Sequence, residues 1–247
     1  MELLIKSSID GSLEPSLFYP ASRDGRPLLV GLHTWSFDRF NQVENLLPIA
    51  QKYDFNLLLP EFRGPNLKSN SRASEACGSP LAKADIKDAI DYVIEHEGVD
   101  RENIFLIGLS GGGHMALLMC GLCPKLFRAV AAFVPITDLA LWAEENPNYR
   151  EHIYASAGDD MASLLSRSPI SYIDTIAQAN LKIFHGKYDG VVPVTHSTRL
   201  YDEIFKKYPK SRVFLDIFDG GHEIDLDAAM FWLISQYENK GNVAVTG

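Results

Sequence analysis

The chain has 247 residues, 46% of them hydrophobic and 22% charged, a globular composition with enough length to fill the core of one large α/β domain. A formal net charge of −9 argues against nucleic acid or polyanionic partners. Residues 1–15 hold no apolar run of signal-peptide length and nothing in the sequence approaches a membrane span, so a soluble, cytoplasmic protein with no membrane partner is expected.

Two antiparallel strands, Leu3–Ser8 and Leu13–Tyr19, are expected to open the chain around Asp10-Gly11. Leu28–Leu32 reads as a buried strand, Phe40–Tyr53 as a helix and Asn56–Leu59 as a strand. In Ala84–His96, residues Ile86, Ala89, Ile90, Val93 and Ile94 recur at helical spacing. A strand over Asn103–Ile107, a helix over Met115–Cys123 and a strand over Ala129–Val134 follow. From Thr137 to Ile176 the pattern turns polar and weakly periodic, dotted with aromatics. Strand Leu181–His185, helix Thr195–Lys207, strand Arg212–Ile217 and helix Ile224–Tyr237 then restore the alternation. Continuous apolar strands separated by helices imply an α/β fold: an eight-stranded, mostly parallel sheet covered on both faces, with an antiparallel pair at one edge. Residues 1–247 are expected to form one domain with a lid-like insertion at about 137–176.

The most informative stretch is Ile107-Gly108-Leu109-Ser110-Gly111-Gly112-Gly113. An apolar strand drives straight into G-x-S-x-G and a helix follows at once, the context that exposes a serine on a sharp turn above the sheet. A serine hydroxyl is a weak nucleophile at neutral pH and needs a histidine base, itself oriented by a carboxylate. Of the seven histidines, His96, His152 and His196 read as solvent-facing, His114 as structural, and His185 as locally hydrogen-bonded. His222 differs: it lies in Asp219-Gly220-Gly221-His222, between the last strand and the last helix, where paired glycines let the loop carry its ring back over the sheet. Asp189, in the loop after strand Leu181–His185, is the acid expected beside it; Asp219 and Asp225 lie too near His222 in sequence to brace its ring.

The order Ser110, Asp189, His222 is that of the α/β-hydrolases. The oxyanion donors are expected to be the backbone N–H of Gly111 and that of Trp35, with Thr34 the runner-up, in the loop His33-Thr34-Trp35. Trp142, Tyr149, Tyr154 and Met161 either wall a substrate pocket or pack the insertion onto the body, and Arg63 reads as a structural salt bridge. Cys120 and Cys123 form C-x-x-C, but amid Leu117, Leu118 and Leu122 they read as small apolar residues, and no second ligand pair completes a zinc site. Neither metal nor cofactor is expected.

Several segments together resemble the catalytic domain of the prolyl oligopeptidase family of serine peptidases and their esterase relatives. They are Pro60-Glu61-Phe62-Arg63-Gly64, Ala84-Asp85-Ile86-Lys87-Asp88, Gly98-Val99-Asp100-Arg101 leading to the Ser110 turn, Leu126-Phe127-Arg128-Ala129, Pro135-Ile136-Thr137-Asp138, Ser168-Pro169-Ile170, and the Asp189 and His222 loops. The resemblance implies an α/β-hydrolase fold and a serine hydrolase with Ser110 as nucleophile, Asp189 as orienting acid and His222 as base. Peptidases of this family usually carry a large β-propeller and often an aromatic after the nucleophile; the 247 residues leave no room for the first, and Gly111 replaces the second. A cofactor-free carboxylesterase acting on a small ester is therefore the leading expectation. A small peptidase or amidase acting on a short peptide is the alternative, and a non-catalytic ligand-binding protein on the same scaffold comes third.

Overall fold

Leucine-, valine- and isoleucine-rich runs become strands, and the amphipathic stretches between them become helices. The computed structural model describes residues 1–238. In chain order the elements are β1 (Glu2–Lys6), β2 (Leu13–Tyr19), β3 (Leu28–Leu32), α1 (Val43–Tyr53), β4 (Asn56–Pro60), α2 (Pro80–His96), β5 (Ile104–Leu109) and α3 (Gly111–Leu122). They continue with β6 (Ala129–Phe133), α4 (Leu139–Glu145), α5 (Pro147–Ala157), α6 (Met161–Ser166), α7 (Ile173–Ile176), β7 (Leu181–Gly186), α8 (Thr195–Lys207), β8 (Val213–Phe218) and α9 (Leu226–Glu238).

The eight strands form one sheet in the order β1-β2-β4-β3-β5-β6-β7-β8. β1 pairs with β2, and β2 with β4, antiparallel; every other pairing is parallel. All residues of β3, β4 and β6 are buried, as strands covered on both faces must be. Ile86, Ile90 and Val93 of α2, Met115–Cys120 of α3, and Leu200 and Ile204 of α8 cover one face. Leu46 and Ala50 of α1 with Ala229, Met230 and Leu233 of α9 cover the other. The α/β-hydrolase architecture expected from the sequence is the one observed.

Four helix starts differ from expectation, among them α9, which begins at Leu226 rather than Ile224. Asp38 gathers residues 38–42 into turns, its Oδ1 accepting from Phe40 N at 3.0 Å, so α1 begins at Val43 rather than Phe40. α2 begins at Pro80 rather than Ala84, because Ser79 Oγ caps Ala82 N at 3.0 Å and proline suits the first helical turn. α3 begins directly at Gly111.

The stretch 137–176 folds into α4 to α7 over the carboxyl ends of the strands. Its apolar residues Leu139, Trp142, Ala143, Ile153, Ala157 and Leu164 form a third cluster with Trp35, Cys77 and Val192. Among the described residues no helix is long and apolar enough to cross a membrane. Cys120 is buried and Cys123 partly buried; burial pushes both thiols up, the latter to about 11, which opposes thiolate chemistry.

Candidate active site

The β5–α3 junction places Ser110 at φ 56° and ψ −115°, a left-handed backbone that costs a non-glycine residue about 1–3 kcal/mol. Ser110 N donates to Phe133 O at 2.9 Å, and Ser110 O accepts from His114 N at 2.8 Å, so the turn is pinned on both sides. Glycine is required around it by close approach. A Cβ at Gly108 would stand 2.1 Å from Gly112 O, and one at Gly111 would stand 2.5 Å from Trp35 N. The backbone of the loop after β3 therefore lies directly against the residue following the serine.

That contact separates the two oxyanion candidates. Thr34 N already donates to Asn41 Oδ1 at 3.1 Å. Trp35 N has no acceptor among the described residues, and Gly111 N belongs to the first turn of α3, where helix N–H groups lack internal partners. The Trp35 ring is buried, edge-on to Trp142 at 4.9 Å and to Tyr149 at 6.4 Å. Next to it, the neighbouring His33 is buried and stacked on Phe62 at 3.8 Å.

The loops after β7 and β8 bring Asp189 and His222 together. Lys187 N donates to Phe218 O and Tyr188 N to Gly220 O, each at 2.9 Å, and a Cβ at Gly186 would stand 2.0 Å from Gly221 O. His222 Nδ1 donates to Asp189 Oδ2 at 2.8 Å, which leaves Nε2 as the nitrogen able to take a proton. The Asp189 side chain is fully buried, whereas His222 keeps part of its ring exposed. Burial pushes the Asp189 carboxyl up, but hydrogen bonds from His185 and His222, then from Val192 N and Val191 N, outweigh it and hold the group well below the usual carboxylate range. The rival acids are engaged elsewhere or exposed: Asp225 Oδ1 accepts from Ala228 N at the start of α9, and Asp219 faces solvent.

Other residues singled out from the sequence fall in distinct places. Arg63 is the structural ion pair expected, fully buried with Asp85 and Glu14 and reaching Asp10 and Glu75. His114 is buried, its Nδ1 donating to Ile136 O at 3.0 Å, and burial holds it down to about 4. His196 is not solvent-facing as expected. It is wholly buried, its Nδ1 accepting from Thr137 N at 3.2 Å and its Nε2 meeting Glu145 Oε2 at 3.0 Å, and burial holds it down to about 4. Trp142 has no exposed surface and packs behind Trp35, its Nε1 donating to Val191 O at 2.9 Å, so it supports the site from within the core. Tyr149 is half-buried, and Tyr154 and Met161 are exposed.

A family model described as the prolyl oligopeptidase family matches residues 79–232, more than half of the chain and a span that contains Ser110, Asp189 and His222. The chain belongs to the prolyl oligopeptidase family. Among its relatives, acylamino-acid-releasing enzyme 2 of Oryza sativa subsp. japonica is 26% identical over 247 residues, covering 93% of this chain and 30% of that protein. Acylamino-acid-releasing enzyme 1 of the same plant is 27% identical over 188 residues, covering 69% of this chain and 24% of that protein. The chain thus spans less than a third of the length of these curated relatives. The Pyrococcus horikoshii acylaminoacyl peptidase structure superposes with a TM-score of 0.73 at 18% identity, covering 97% of this chain and 40% of that one, a likeness of fold.

Proposed function

We propose that this member of the prolyl oligopeptidase family is a serine peptidase or amidase that cleaves short N-acylated amino-acid or peptide substrates through an acyl-serine intermediate. Ser110 Oγ attacks the substrate carbonyl while His222 Nε2 takes its proton, and Asp189 steadies the imidazolium. The N–H groups of Gly111 and Trp35 hold the tetrahedral oxyanion. His222 returns the proton to the leaving amine as the C–N bond breaks. A water molecule then attacks the acyl-serine with His222 again as base, releasing the carboxylic acid and restoring Ser110.

The observation that carries this reading is the pair of N–H groups without acceptors among the described residues, Gly111 and Trp35, lying together beside a serine held at positive φ. A site that only binds has no need to keep two main-chain donors aimed at one oxyanion position. Acylamino-acid-releasing enzymes among the relatives favour amide over ester substrates, reversing the order expected from the sequence. One feature supports the carboxylesterase as a second reading. Gly111 takes the place where the family's peptidases often have an aromatic, and the Trp35 backbone packed on it leaves no room for a larger side chain.

Turnover of N-acyl amino-acid anilides beside short acyl esters, with Ser110→Ala as the blank, separates the readings. Anilide cleavage that disappears in Ser110→Ala is the result expected. Ester cleavage alone would favour the carboxylesterase. Ligand binding with no turnover of either would mark a non-catalytic scaffold.

A further inference from the structure

Asp189 does not hold His222 alone. Its Oδ1 accepts from Val191 N at 2.8 Å and Val192 N at 2.9 Å. Its Oδ2 accepts from His222 Nδ1 at 2.8 Å and lies 3.4 Å from a second ring nitrogen, His185 Nε2. His185 stands at the carboxyl end of β7 with no exposed surface. Both neighbours of its Nε2, the Asp189 carboxylate and Val192 O at 2.9 Å, can only accept, so Nε2 carries the hydrogen. Nδ1 lies 2.7 Å from Ser197 Oγ, and the buried Ser197 hydroxyl donates to it. The donors therefore run from Ser197 on α8 to His185, whose Nε2–H is hydrogen-bonded to Val192 O and stands 3.4 Å from the Asp189 oxygen that accepts from His222. The other buried ring on α8, His196, is occupied with Glu145 and Thr137 and stands outside this chain of bonds.

We propose that His185, held in a single tautomer by Ser197, is a positioning residue that clamps the Asp189 carboxylate and shares with His222 the oxygen that orients the His222 ring. A histidine that merely filled the core would have no reason to converge on that oxygen. With three hydrogen bonds on it and His185 Nε2–H against Oδ2, the fully buried carboxylate cannot rotate about its own bond without losing a partner. The clamp also limits how much carboxylate charge His222 feels. The proposal rests on the reading of Ser110, Asp189 and His222 as a catalytic triad.

The test compares His185→Leu, His185→Gln and Ser197→Ala with the parent chain by two measurements. The first is steady-state kinetics on an N-acyl amino-acid anilide or a short acyl ester; the second is the titration of the His222 ring followed by NMR, which needs no substrate. His185→Leu is expected to lower kcat by about tenfold with KM within about twofold, a loss of positioning rather than of binding. Its His222 midpoint is expected to move upward, because a carboxylate with one donor fewer attracts the imidazolium more strongly. His185→Gln, whose amide N–H and carbonyl can replace Nε2–H and Nδ1, should restore both readouts, and Ser197→Ala should move both in the same direction by less. If His185→Leu does not fold, Ser197→Ala and His185→Gln carry the comparison. An unmoved His222 midpoint in His185→Leu and Ser197→Ala, or a His185→Gln chain that behaves like His185→Leu, overturns the proposal. Ser110→Ala and His222→Ala are assayed alongside. If both keep parental turnover, the triad reading fails; if both lose it while the His185 and Ser197 variants do not, only the clamp fails.

Discussion

A methyl group on Gly111 probes the oxyanion site through the backbone that builds it. A Cβ there would stand 2.5 Å from Trp35 N and 2.6 Å from Trp35 Cα, whereas ordinary van der Waals contact begins near 3.4 Å. The Trp35 main chain must therefore withdraw by about 0.9 Å, and misplacement on the order of 1 Å costs on the order of 10²-fold in rate. Trp35 has little freedom to adjust in any other way. Its ring packs edge-on against Trp142 and Tyr149, and its carbonyl accepts from Asn66 N at 2.8 Å. Gly111→Ala is expected to lower kcat on the order of 10²-fold while KM changes by less than about threefold, since oxyanion donors act mainly in the transition state. Steady-state kinetics on the anilide and the ester measure this, with a thermal melt to confirm folding. Gly190→Ala, where a Cβ meets nothing within 4 Å, serves as a glycine control expected to leave kcat unchanged. A folded Gly111→Ala chain with kcat within about twofold of the parent would refute the assignment of the two N–H groups as oxyanion donors.

Further expectations follow from the other contacts. Asp189→Asn should reduce turnover on the order of 10³- to 10⁴-fold with the fold intact, because its amide oxygen stays with Val191 N and Val192 N and its NH2 then donates to His222 Nδ1, imposing the wrong tautomer; kinetics beside circular dichroism check this. Arg63→Met should cost about 3–5 kcal/mol of stability at pH 7, since it leaves Asp85 buried without its cation, while Glu14 keeps Arg72. Burial already raises the Asp85 carboxyl and loss of Arg63 raises it further above its unfolded value, so its penalty grows as pH rises and the deficit should shrink toward pH ~4.5. Urea melts at the two pH values measure it, and an equal deficit at both would point to packing alone. Trp142→Phe removes the donor to Val191 O and should cost about 1–2 kcal/mol, read from the same melts.

The sheet was legible because its strands are unbroken apolar runs: β2, β3 and α8 fall on the residues expected, Leu13–Tyr19, Leu28–Leu32 and Thr195–Lys207. The order of the loops that carry Ser110, Asp189 and His222 was legible too, since each follows a strand and G-x-S-x-G has a steric cause visible in the Gly108 contacts. What local pattern could not show were contacts made across the chain. His196 opens an amphipathic helix and reads as exposed, yet Thr137 and Glu145, 59 and 51 residues away, close over it. His185 looks like a strand-end histidine with a local bond; only the return of the His222 loop puts a second ring on the same carboxylate. The sequence favours Trp35 over Thr34, but that the Asn41 side chain takes the Thr34 N–H is a contact the sequence does not show. A signal for His185 did exist in sequence, four residues before the acid at a strand end, but spacing alone cannot say which way its ring turns.

The same cross-chain bonds bear on what the 137–176 segment contributes. It was expected to be lid-like, yet α4 is fastened to the loop that carries the acid: Trp142 Nε1 and Asn146 Nδ2 both donate to Val191 O, at 2.9 and 3.1 Å, while Val191 N itself donates to Asp189. Asp138 pairs with Arg199 and Glu145 with His196, tying both ends of α4 to α8. Swinging the segment away as a unit would break these bonds at about 1 kcal/mol each and uncover Trp142, whose burial is worth about 2–3 kcal/mol more. A state about 6 kcal/mol uphill is populated at roughly one part in 10⁴, too rarely to serve as the ordinary route to the site. The physical weight of α4 therefore falls on the Asp189 loop: it holds the Val191 carbonyl from outside while Val191 and Val192 hold the carboxylate from within, so a change at Trp142 should reach turnover through Asp189 before it reaches substrate binding.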